Sequence, residues 1–225
     1  MTHFLNEAQS NTLLSRHGIP MIPYKIVHSP EQAQEAAGAM GGSLALKILS
    51  AHIWHKSEVG GVMLGVEPSQ AGEAYRQLLT NVARLAPTVP LEGVMLSPML
   101  FGGLELVLGL KKDPQFGFIL LAGMGGLYLE LYNDTAIRLA PVTLREARQM
   151  VAELKVKQII DGSRGTVYDE EALLAAMVAL SQLGEVLPEL SEVDINPFFL
   201  FAQGQGAVGA DALVGINKNE IEEEE

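Results

Sequence analysis

The apolar residues of this chain come in short runs. Glycine, proline or a charged residue breaks each run well before the ~18 residues that a membrane-spanning helix needs, although 48% of the 225 residues are hydrophobic. So high an apolar content excludes a disordered or collagen-like chain. A chain of this length buries roughly 70% of its extended surface, enough for a core without disulfide or metal support. We therefore expect a globular fold built from short strands and helices.

Cysteine is absent, and acidic residues outnumber basic ones by 27 to 15, for a formal net charge of −12. The lack of cysteine excludes disulfides, thiolate zinc sites and a cysteine nucleophile. The negative charge argues against nucleic acid or an anionic membrane as partner, because most of the surface would repel either one. An anionic ligand must therefore meet locally placed positive charge. No signal-peptide pattern opens the chain, so the expected location is the cytoplasm.

Part of the negative charge is concentrated at the end of the chain. Glu220 and residues 222–225 are all glutamate, and with Lys218 they give the last eight residues a net charge of −4, leaving −8 for the rest. Such a run cannot bury itself. Residues 218–225 are therefore predicted to form a solvated, disordered tail.

The first half of the chain predicts a β-α-β-β-α-β order, which is typical of an α/β lobe. A first helix follows Asn6 and ends before Gly18, and a second begins at Ser29-Pro30 and runs to about Met40. A third helix is expected over residues 69–85. A buried strand is predicted over residues 43–50, and further strands are predicted over 62–67 and near 91–97.

After Pro98 the sequence becomes richer in strand patterns. Glycine, aspartate and proline turns separate four apolar runs, which predict an antiparallel meander over residues 104–110, 116–122, 127–132 and 136–139. Two helices follow, one over 143–155 with a Thr143/Glu146 capping box and one over 169–185. The last strand patterns cover 192–201 and 206–213.

This order of elements predicts two α+β lobes within the α/β class. The first lobe, with the N-terminal helix, covers residues 1–97. The second lobe covers residues 98–217.

Lys47 is a candidate phosphate ligand. It lies in the middle of a predicted buried strand, between Leu46 and Ile48. Burying an unpaired ammonium group is costly unless an anion or a cleft meets its tip. The alternative is a lysine at a sheet edge, whose aliphatic stem lets the charge reach water.

Residues 52–61 connect the predicted strands at 43–50 and 62–67. This segment is rich in polar residues and has the sequence HIWHKSEVGG. Its paired Gly60 and Gly61 could expose backbone N–H groups to a phosphate. A histidine here could act as nucleophile or acid–base group, and with no cysteine available histidine is the best candidate for a covalent carrier. The alternatives are an ordinary loop with solvated histidines, or a metal pair of His52 and His55, although no third ligand lies at a useful spacing.

Gly125 and Gly126 belong to a second glycine-rich segment, GMGG, which follows an apolar strand. A backbone this bare could approach a ligand closely, but strand-rich sequence follows rather than a helix, which excludes a dinucleotide-binding fingerprint. A glycine turn in a hairpin is the alternative. Arg138, in the sequence RLAP, and Arg164 could each clamp a phosphate or form a surface ion pair.

Several residues that could bind a metal through oxygen lie close together late in the chain. Asp194-Ile195-Asn196-Pro197 is predicted to end a strand, with Ile195 facing inward and Asp194 and Asn196 on the opposite side, and Asp211 lies on the next strand pattern. Mg²⁺ typically takes one or two such oxygens and completes its shell with water and nucleotide phosphates. The alternative is a plain Asx-Pro turn followed by a strand-end cap.

Taken in this order, the segments resemble the ATP-grasp domain of ADP-forming acyl-CoA synthetases, that is, the β subunit or β-like domain of that family. More distantly, the chain is similar to the β subunit of succinyl-CoA synthetase. The resemblance covers about residues 5–216. Its motifs are LNEAQSNTLLSRHGIP, ALKILS, HKSEVGGV, KKDPQFGFILLAGMGGLYLELYND, RLAP, and VDINP followed by the aspartate of GADAL.

The resemblance implies a nucleotide, ATP or ADP, held between the two lobes. Lys47 matches the family lysine on the phosphates, Asn196 and Asp211 match the Mg²⁺ ligands with Asp194 close by, and His55 falls on the histidine that receives phosphate. A CoA-binding α-type subunit or fused domain would make an acyl phosphate and then a phosphohistidine of its own. The phosphoryl group would then pass, reversibly, to ADP.

One motif departs from the family. Where relatives commonly show Gln-Glu-Met at the strand joining the lobes, this chain has Ser97-Pro98-Met99. The carboxylate expected beside the adenosine is missing, and proline removes a backbone donor. The resemblance therefore leaves the identity of the nucleotide open.

Two other classes of function compete with the ligase. One is a non-catalytic nucleotide- or acyl-CoA-sensing module, like the synthetase-like regions attached to protein acetyltransferases. Those regions often lose the metal-binding asparagine, whereas Asn196 is present here. The other is a purely structural partner of a CoA-binding subunit, which would bind no nucleotide.

Overall fold

The computed structural model describes residues 2–53, 56–126 and 134–217, which form two compact units. The smaller unit contains residues 6–8 and 22–101, and the larger contains the described residues of 1–5, 9–21 and 102–225. Residues 9–21, which the sequence analysis assigned to the first lobe, thus group with the second half of the chain. A compact unit is not the same as a folding domain, so the predicted domain boundary after residue 97 stays a prediction.

In chain order, the described α-helices and strands are β1 (Thr2–Phe4), α1 (Glu7–Arg16), β2 (Lys25–Val27), α2 (Pro30–Met40), β3 (Leu44–Leu49), β4 (Val62–Val66), α3 (Ala71–Leu85), β5 (Gly93–Pro98), β6 (Leu104–Asp113), β7 (Gly117–Met124), β8 (Thr135–Leu139), α4 (Leu144–Glu153), α5 (Lys157–Ile160), α6 (Glu170–Val186), β9 (Leu190–Leu200), β10 (Ala207–Gly209) and β11 (Ala212–Asn217). None of the described helices is long and apolar enough to cross a membrane.

The smaller unit is an antiparallel sheet in the order β2-β5-β3-β4, against which α2 and α3 pack. Its β-α-β-β-α-β order confirms the prediction. Ser29 caps α2 by accepting a hydrogen bond from the backbone N–H of Gln32, and Pro30 occupies the first turn, where no N–H partner is needed. All six residues of the central strand β3 are buried, which places Lys47 inside the sheet.

The larger unit is built on an antiparallel sheet whose described strands run in the order β1-β11-β9-β6-β7-β8, with β10 also paired to β9. The predicted meander is confirmed for β6, β7 and β8. Helices α4 and α6 cover one face with a core that includes Met150, Met177 and Phe198. The capping box of Thr143 and Glu146 at the start of α4 is also confirmed. The predicted strand over 127–132 and the predicted tail over 218–225 lie outside the described residues.

Two predictions about the end of the chain were wrong. The pattern over 206–213 is not one strand, because β10 ends at Gly209 and β11 begins at Ala212, so Asp211 lies between strands. The strand predicted over 192–201 is confirmed as β9, but it does not end at Asn196-Pro197, as the motif there predicts, and continues to Leu200. Ile195 pairs with Leu108 and Phe198 with Leu106, so β9 carries an extra residue at this point. Such a bulge accommodates a proline, which cannot donate to the ladder.

Two helical glycines predict opposite responses to alanine. A Cβ at Gly184 in α6 would lie 2.2 Å from the Phe118 ring, whereas a Cβ at Gly38 in α2 would meet nothing within 4 Å. We expect Gly184→Ala to lower the free energy of unfolding by about 1–3 kcal/mol through overpacking, and Gly38→Ala to raise it by about 0.5–1 kcal/mol through helix propensity. Urea unfolding followed by circular dichroism measures both. Equal shifts in the two variants would contradict the described packing of α6 on β7.

Candidate functional site

Lys47 is a buried lysine, and its charge is met by a buried carboxylate. Its residue exposure is 8%, and its Nζ donates a hydrogen bond to Oε1 of Glu7 over 2.7 Å. Glu7 is the first residue of α1, and its side chain is completely buried. The prediction that a buried ammonium here needs an anion is met within the chain by Glu7.

Lys56 reaches the second oxygen of the same carboxylate. Its Nζ lies 2.8 Å from Oε2 of Glu7, and its side chain is 11% exposed. One carboxylate therefore bridges two lysines that are nine residues apart in sequence, one on β3 and one in the loop before β4. The three charges sum to +1.

The loop carrying Lys56 is closed by tight backbone contacts. The N–H of Gly61 donates to the carbonyl of Lys56 over 2.7 Å, and the N–H of Gly60 donates to the carbonyl of Ser57 over 3.1 Å. A Cβ at Gly61 would lie 2.6 Å from the Ile48 side chain, and Gly60 has a φ of +65°. In the described loop, the two N–H groups proposed for phosphate are thus engaged in the turn. His55 lies outside the described residues.

The other described end of this loop is also tied to the first turn of α1. Asn6 donates from Nδ2 to Oε2 of Glu92 over 2.7 Å, and Oε1 of Glu92 accepts from the N–H of Ala51 over 3.1 Å. Two consecutive residues, Asn6 and Glu7, therefore hold the loop near its beginning and at Lys56.

In the larger unit, three predicted oxygen ligands come together at the bulge of β9. Asp194 and Asn196 are exposed, while Val193 and Ile195 are buried, which confirms the predicted alternation. The N–H of Asn196 donates to the carbonyl of Asp211 over 3.1 Å, so Asp211 lies directly across from Asn196. The Asx-Pro turn alternative does not describe this segment, because the strand runs through it.

The carboxylate of Asp194 is electrostatically strained. Loss of hydration against the surrounding protein raises its pKa, and the negative charges of Asp211 and Glu192 raise it further. A divalent cation would relieve this repulsion. Among the described residues, no three His, Asp or Glu side chains form a metal-holding group on their own. Two carboxylates and an amide oxygen nevertheless fit Mg²⁺, which needs only one or two protein carboxylates.

The structure separates Arg138 from these ligands. Residues directly opposite in an antiparallel sheet share a face, and the pairings connect Asp194 with Gly109, Leu121 and Ile137 on one face. The adjacent row connects Val193 with Leu110, Leu120 and Arg138 on the helix-covered face. There the guanidinium of Arg138 forms an ion pair with Glu153 of α4. The ion-pair alternative therefore describes its contacts.

Gly125 and Gly126 follow β7 directly. A Cβ at Gly125 would lie 2.7 Å from the backbone carbonyl oxygen of Leu106, and Gly126 has a φ of +76°. The N–H of Gly125 donates to the carbonyl of Glu105 over 2.9 Å. The absence of a side chain thus permits close packing against β6. Residues 127–133 lie outside the described residues, so the hairpin-turn alternative stays a prediction.

Sequence reasoning missed Glu7 and Lys56 as members of the site. Glu7 looks like an ordinary acidic residue in a first helical turn, where glutamate is common. The available signal was a buried lysine in β3 that demanded an anion. Because the partner comes from a segment 40 residues away, its identity depends on tertiary structure.

Comparisons with known proteins agree on one family. A family model described as an ATP-grasp domain matches residues 1–216. The β subunit of acetate–CoA ligase [ADP-forming] I of Pyrococcus furiosus is 36% identical over 212 residues, which cover 93% of this chain and 91% of that subunit. Acetate–CoA ligase [ADP-forming] I of Archaeoglobus fulgidus is 37% identical over 92% of this chain, which spans only 30% of that longer protein.

A solved structure has the same fold. It is the dinucleotide-forming acetyl-coenzyme A synthetase 1 of Candidatus Korarchaeum cryptofilum in complex with coenzyme A, Ca-AMPCP and HgCl⁺. Its TM-score to this chain is 0.90, with 32% sequence identity, and the match covers 96% of this chain and 94% of that one.

Because the pKa of Asp194 is raised, we expect Asp194→Asn to increase the stability of the folded protein in the absence of divalent cations, by an amount that depends on pH. A carboxyl whose folded pKa lies above its unfolded value favours folding at low pH, and that contribution is lost as the pH rises through the folded pKa. The variant should therefore melt at a higher temperature than wild type at pH 7. The difference should close as the pH falls towards about 3.9, the unperturbed aspartate value. Thermal unfolding in EDTA at both pH values tests this, and a lower Tm of the variant at pH 7 would contradict it.

Proposed function

Because this chain belongs to the ATP-grasp domain family, we propose that it is the nucleotide-binding subunit or domain of an ADP-forming acid–CoA ligase. Such an enzyme forms a carbon–sulfur bond and couples acyl-CoA to ATP. The observation that carries the proposal is the presence of two charged sites. In one, a buried carboxylate contacts two lysines; in the other, two carboxylates and an amide lie at the bulge of β9. Similarity over 91% of the Pyrococcus furiosus β subunit supports the same role.

Lys47 is assigned to the phosphates of ATP or ADP. Its ammonium is fixed on a fully buried strand, so little side-chain freedom is lost when an anion binds. Phosphoryl transfer depends mainly on positioning the phosphates and on neutralising their charge. A lysine held in this way can both position the phosphates and neutralise part of their charge.

Asn196, Asp211 and Asp194 are assigned to Mg²⁺. When bound, the ion neutralises phosphate charge and orients the phosphoryl group. Asp194 and Asp211 repel one another, so the protein offers the ion a site where its arrival removes an unfavourable interaction.

His55 is assigned as the phosphoryl carrier. A ring nitrogen of the phosphohistidine gives up its bond to phosphorus, an oxygen of the ADP β-phosphate forms the new P–O bond, the freed nitrogen takes up a proton, and ATP results. In reverse, the histidine nitrogen attacks the γ-phosphorus, ADP leaves, and the ring N–H proton is released. The Lys47 ammonium stabilises the charge that stays on the phosphates in either direction.

The acid substrate, phosphate and CoA would be handled by an α-type subunit or a fused domain. The Archaeoglobus fulgidus relative is a single chain more than three times as long as the matching segment, whereas the Pyrococcus furiosus relative is a separate β subunit. Both arrangements are compatible with this chain.

The strand that departs from the family motif also bears on nucleotide binding. Ser97 is buried on β5 and Pro98 ends that strand, opposite Leu44, so the backbone N–H that another residue would offer there is absent.

A phosphorylation assay tests the function directly. The protein, mixed with Mg²⁺, γ-labelled ATP and a CoA-binding α subunit of this family, should acquire an acid-labile label. His55→Ala should abolish the label, since the nucleophile is removed, while His52→Ala in the same loop should retain it. Equal labelling of His55→Ala and His52→Ala would overturn the assignment. Calorimetric binding of Mg-ATP without any labelling would instead favour the sensing module.

Removing one proposed metal ligand should change the metal requirement. Asp211→Asn keeps the size of the side chain but removes one charge, so the Mg²⁺ concentration for half-maximal labelling should rise by about 10-fold or more. Asp113→Asn serves as the control, because the half-buried Asp113 accepts hydrogen bonds in the turn between β6 and β7 and is not among the proposed metal ligands. An unchanged Mg²⁺ dependence in Asp211→Asn would exclude this aspartate as a ligand.

A further inference from the structure

Glu7 connects its own short segment of the smaller unit, residues 6–8, with two other parts of that unit. Its Oε1 accepts from Lys47 of β3 over 2.7 Å, its Oε2 lies 2.8 Å from Lys56 of the following loop, and Glu7 itself begins α1. The Glu7 side chain is completely buried, and those of Lys47 and Lys56 are 10% and 11% exposed. The small accessible part of this cluster thus belongs to the two lysine side chains.

A cluster of this kind is a poor way to stabilise a fold. Taking three charges out of water costs several kcal/mol per ion, and apolar residues of similar volume often give equal or greater stability. Two ammonium groups without a carboxylate between them would also repel each other. The carboxylate therefore allows both lysines to be charged, buried and close together at the same time.

We propose that Glu7 is a positioning residue, which holds the ammonium groups of Lys47 and Lys56 together as one preorganised cation pair for the phosphates of the nucleotide. This inference rests on the proposed function, since it takes Lys47 as a phosphate ligand. It adds Lys56 as a second phosphate ligand and Glu7 as the residue that fixes both. The formal charges of Glu7, Lys47 and Lys56 sum to +1, which favours the approach of an anion.

The surrounding contacts make the position of this cluster well defined. The backbone carbonyl of Lys56 accepts a hydrogen bond from the N–H of Gly61. Asn6, which precedes Glu7, donates to the carboxylate of Glu92, and the same carboxylate accepts from the N–H of Ala51. Lys47 cannot shift along β3, because that strand is paired on both sides with β4 and β5. The carboxylate of Glu7 therefore sets where Lys56 lies relative to Lys47.

The test compares Glu7→Gln with Glu31→Gln by calorimetry of the full chain in Mg²⁺. Glu31 is a matched control: it too lies in the first turn of a helix and near a cation, Arg76, at 3.7 Å, but its side chain is 77% exposed. Glu7→Gln should weaken ATP binding about tenfold or more, or about 1.4 kcal/mol, and leave AMP binding unchanged, because AMP lacks the β- and γ-phosphates. Glu31→Gln should change neither.

The ratio of AMP to ATP dissociation constants separates positioning from general damage. A residue that only supports folding would weaken both ligands alike, whereas a residue that acts through the lysines lowers this ratio. Glu7→Asp keeps the charge on a shorter side chain and should recover part of the ratio. Glu7→Gln binding ATP as tightly as Glu31→Gln, or losing ATP and AMP equally, would overturn the proposal.

A second variant covers the case in which Glu7→Gln fails to fold. Lys56→Gln leaves the Glu7–Lys47 pair in place and should also lower the ratio, while adding Glu7→Asp to it should have less effect than in the wild type. An unchanged ratio in Lys56→Gln would overturn the role of Lys56 and with it the cation pair. If wild-type protein fails to bind Mg-ATP at all, the proposed function fails; if it binds and these variants bind alike, only the role of Glu7 fails.

Discussion

The antiparallel ladder through β9, β6, β7 and β8 decides what each side chain of the larger unit can do. Its pleat sends one row of residues, from Val193 to Arg138, into the helix-covered core. The adjacent row, which begins at Asp194, is sent to the opposite face. A slip of one residue would bury the carboxylate and expose the core. The large apolar core under α4 and α6 excludes such a slip, so hydrophobic packing indirectly fixes where the acidic ligands stand.

Charge is distributed by the same rule of burial against compensation. In the larger unit the acidic groups at β9 and Asp211 are left near one another, and loss of hydration together with their repulsion raises the pKa of Asp194. In the smaller unit the opposite arrangement holds, since one buried carboxylate is shared by two lysines. The acidic groups of the larger unit therefore suit a metal ion. The lysine cluster of the smaller unit, whose formal charges sum to +1, suits a phosphate.

Much of the fold could be predicted because its signals are local. The Ser29-Pro30 start of α2, the capping box at Thr143 and the turn between β6 and β7 are each encoded within a few neighbouring residues, and all three are confirmed. The errors lie where local signals end. The bulge at Asn196-Pro197 and the break at Asp211 depend on how β9 pairs with its neighbours, so no pattern within the strand announces them.

The sequence by itself determined the family, the order of elements, and the residue types able to hold phosphate and metal, because motifs and periodicity are properties of the linear chain. Only the tertiary structure decided which of them meet. It paired Lys47 with Glu7 across 40 residues, placed Arg138 on the helix-covered face beside Glu153, and set Asp211 across from Asn196. The physical reason is that burial and charge pairing depend on distances in space, which long-range packing sets and which no spacing along the chain encodes.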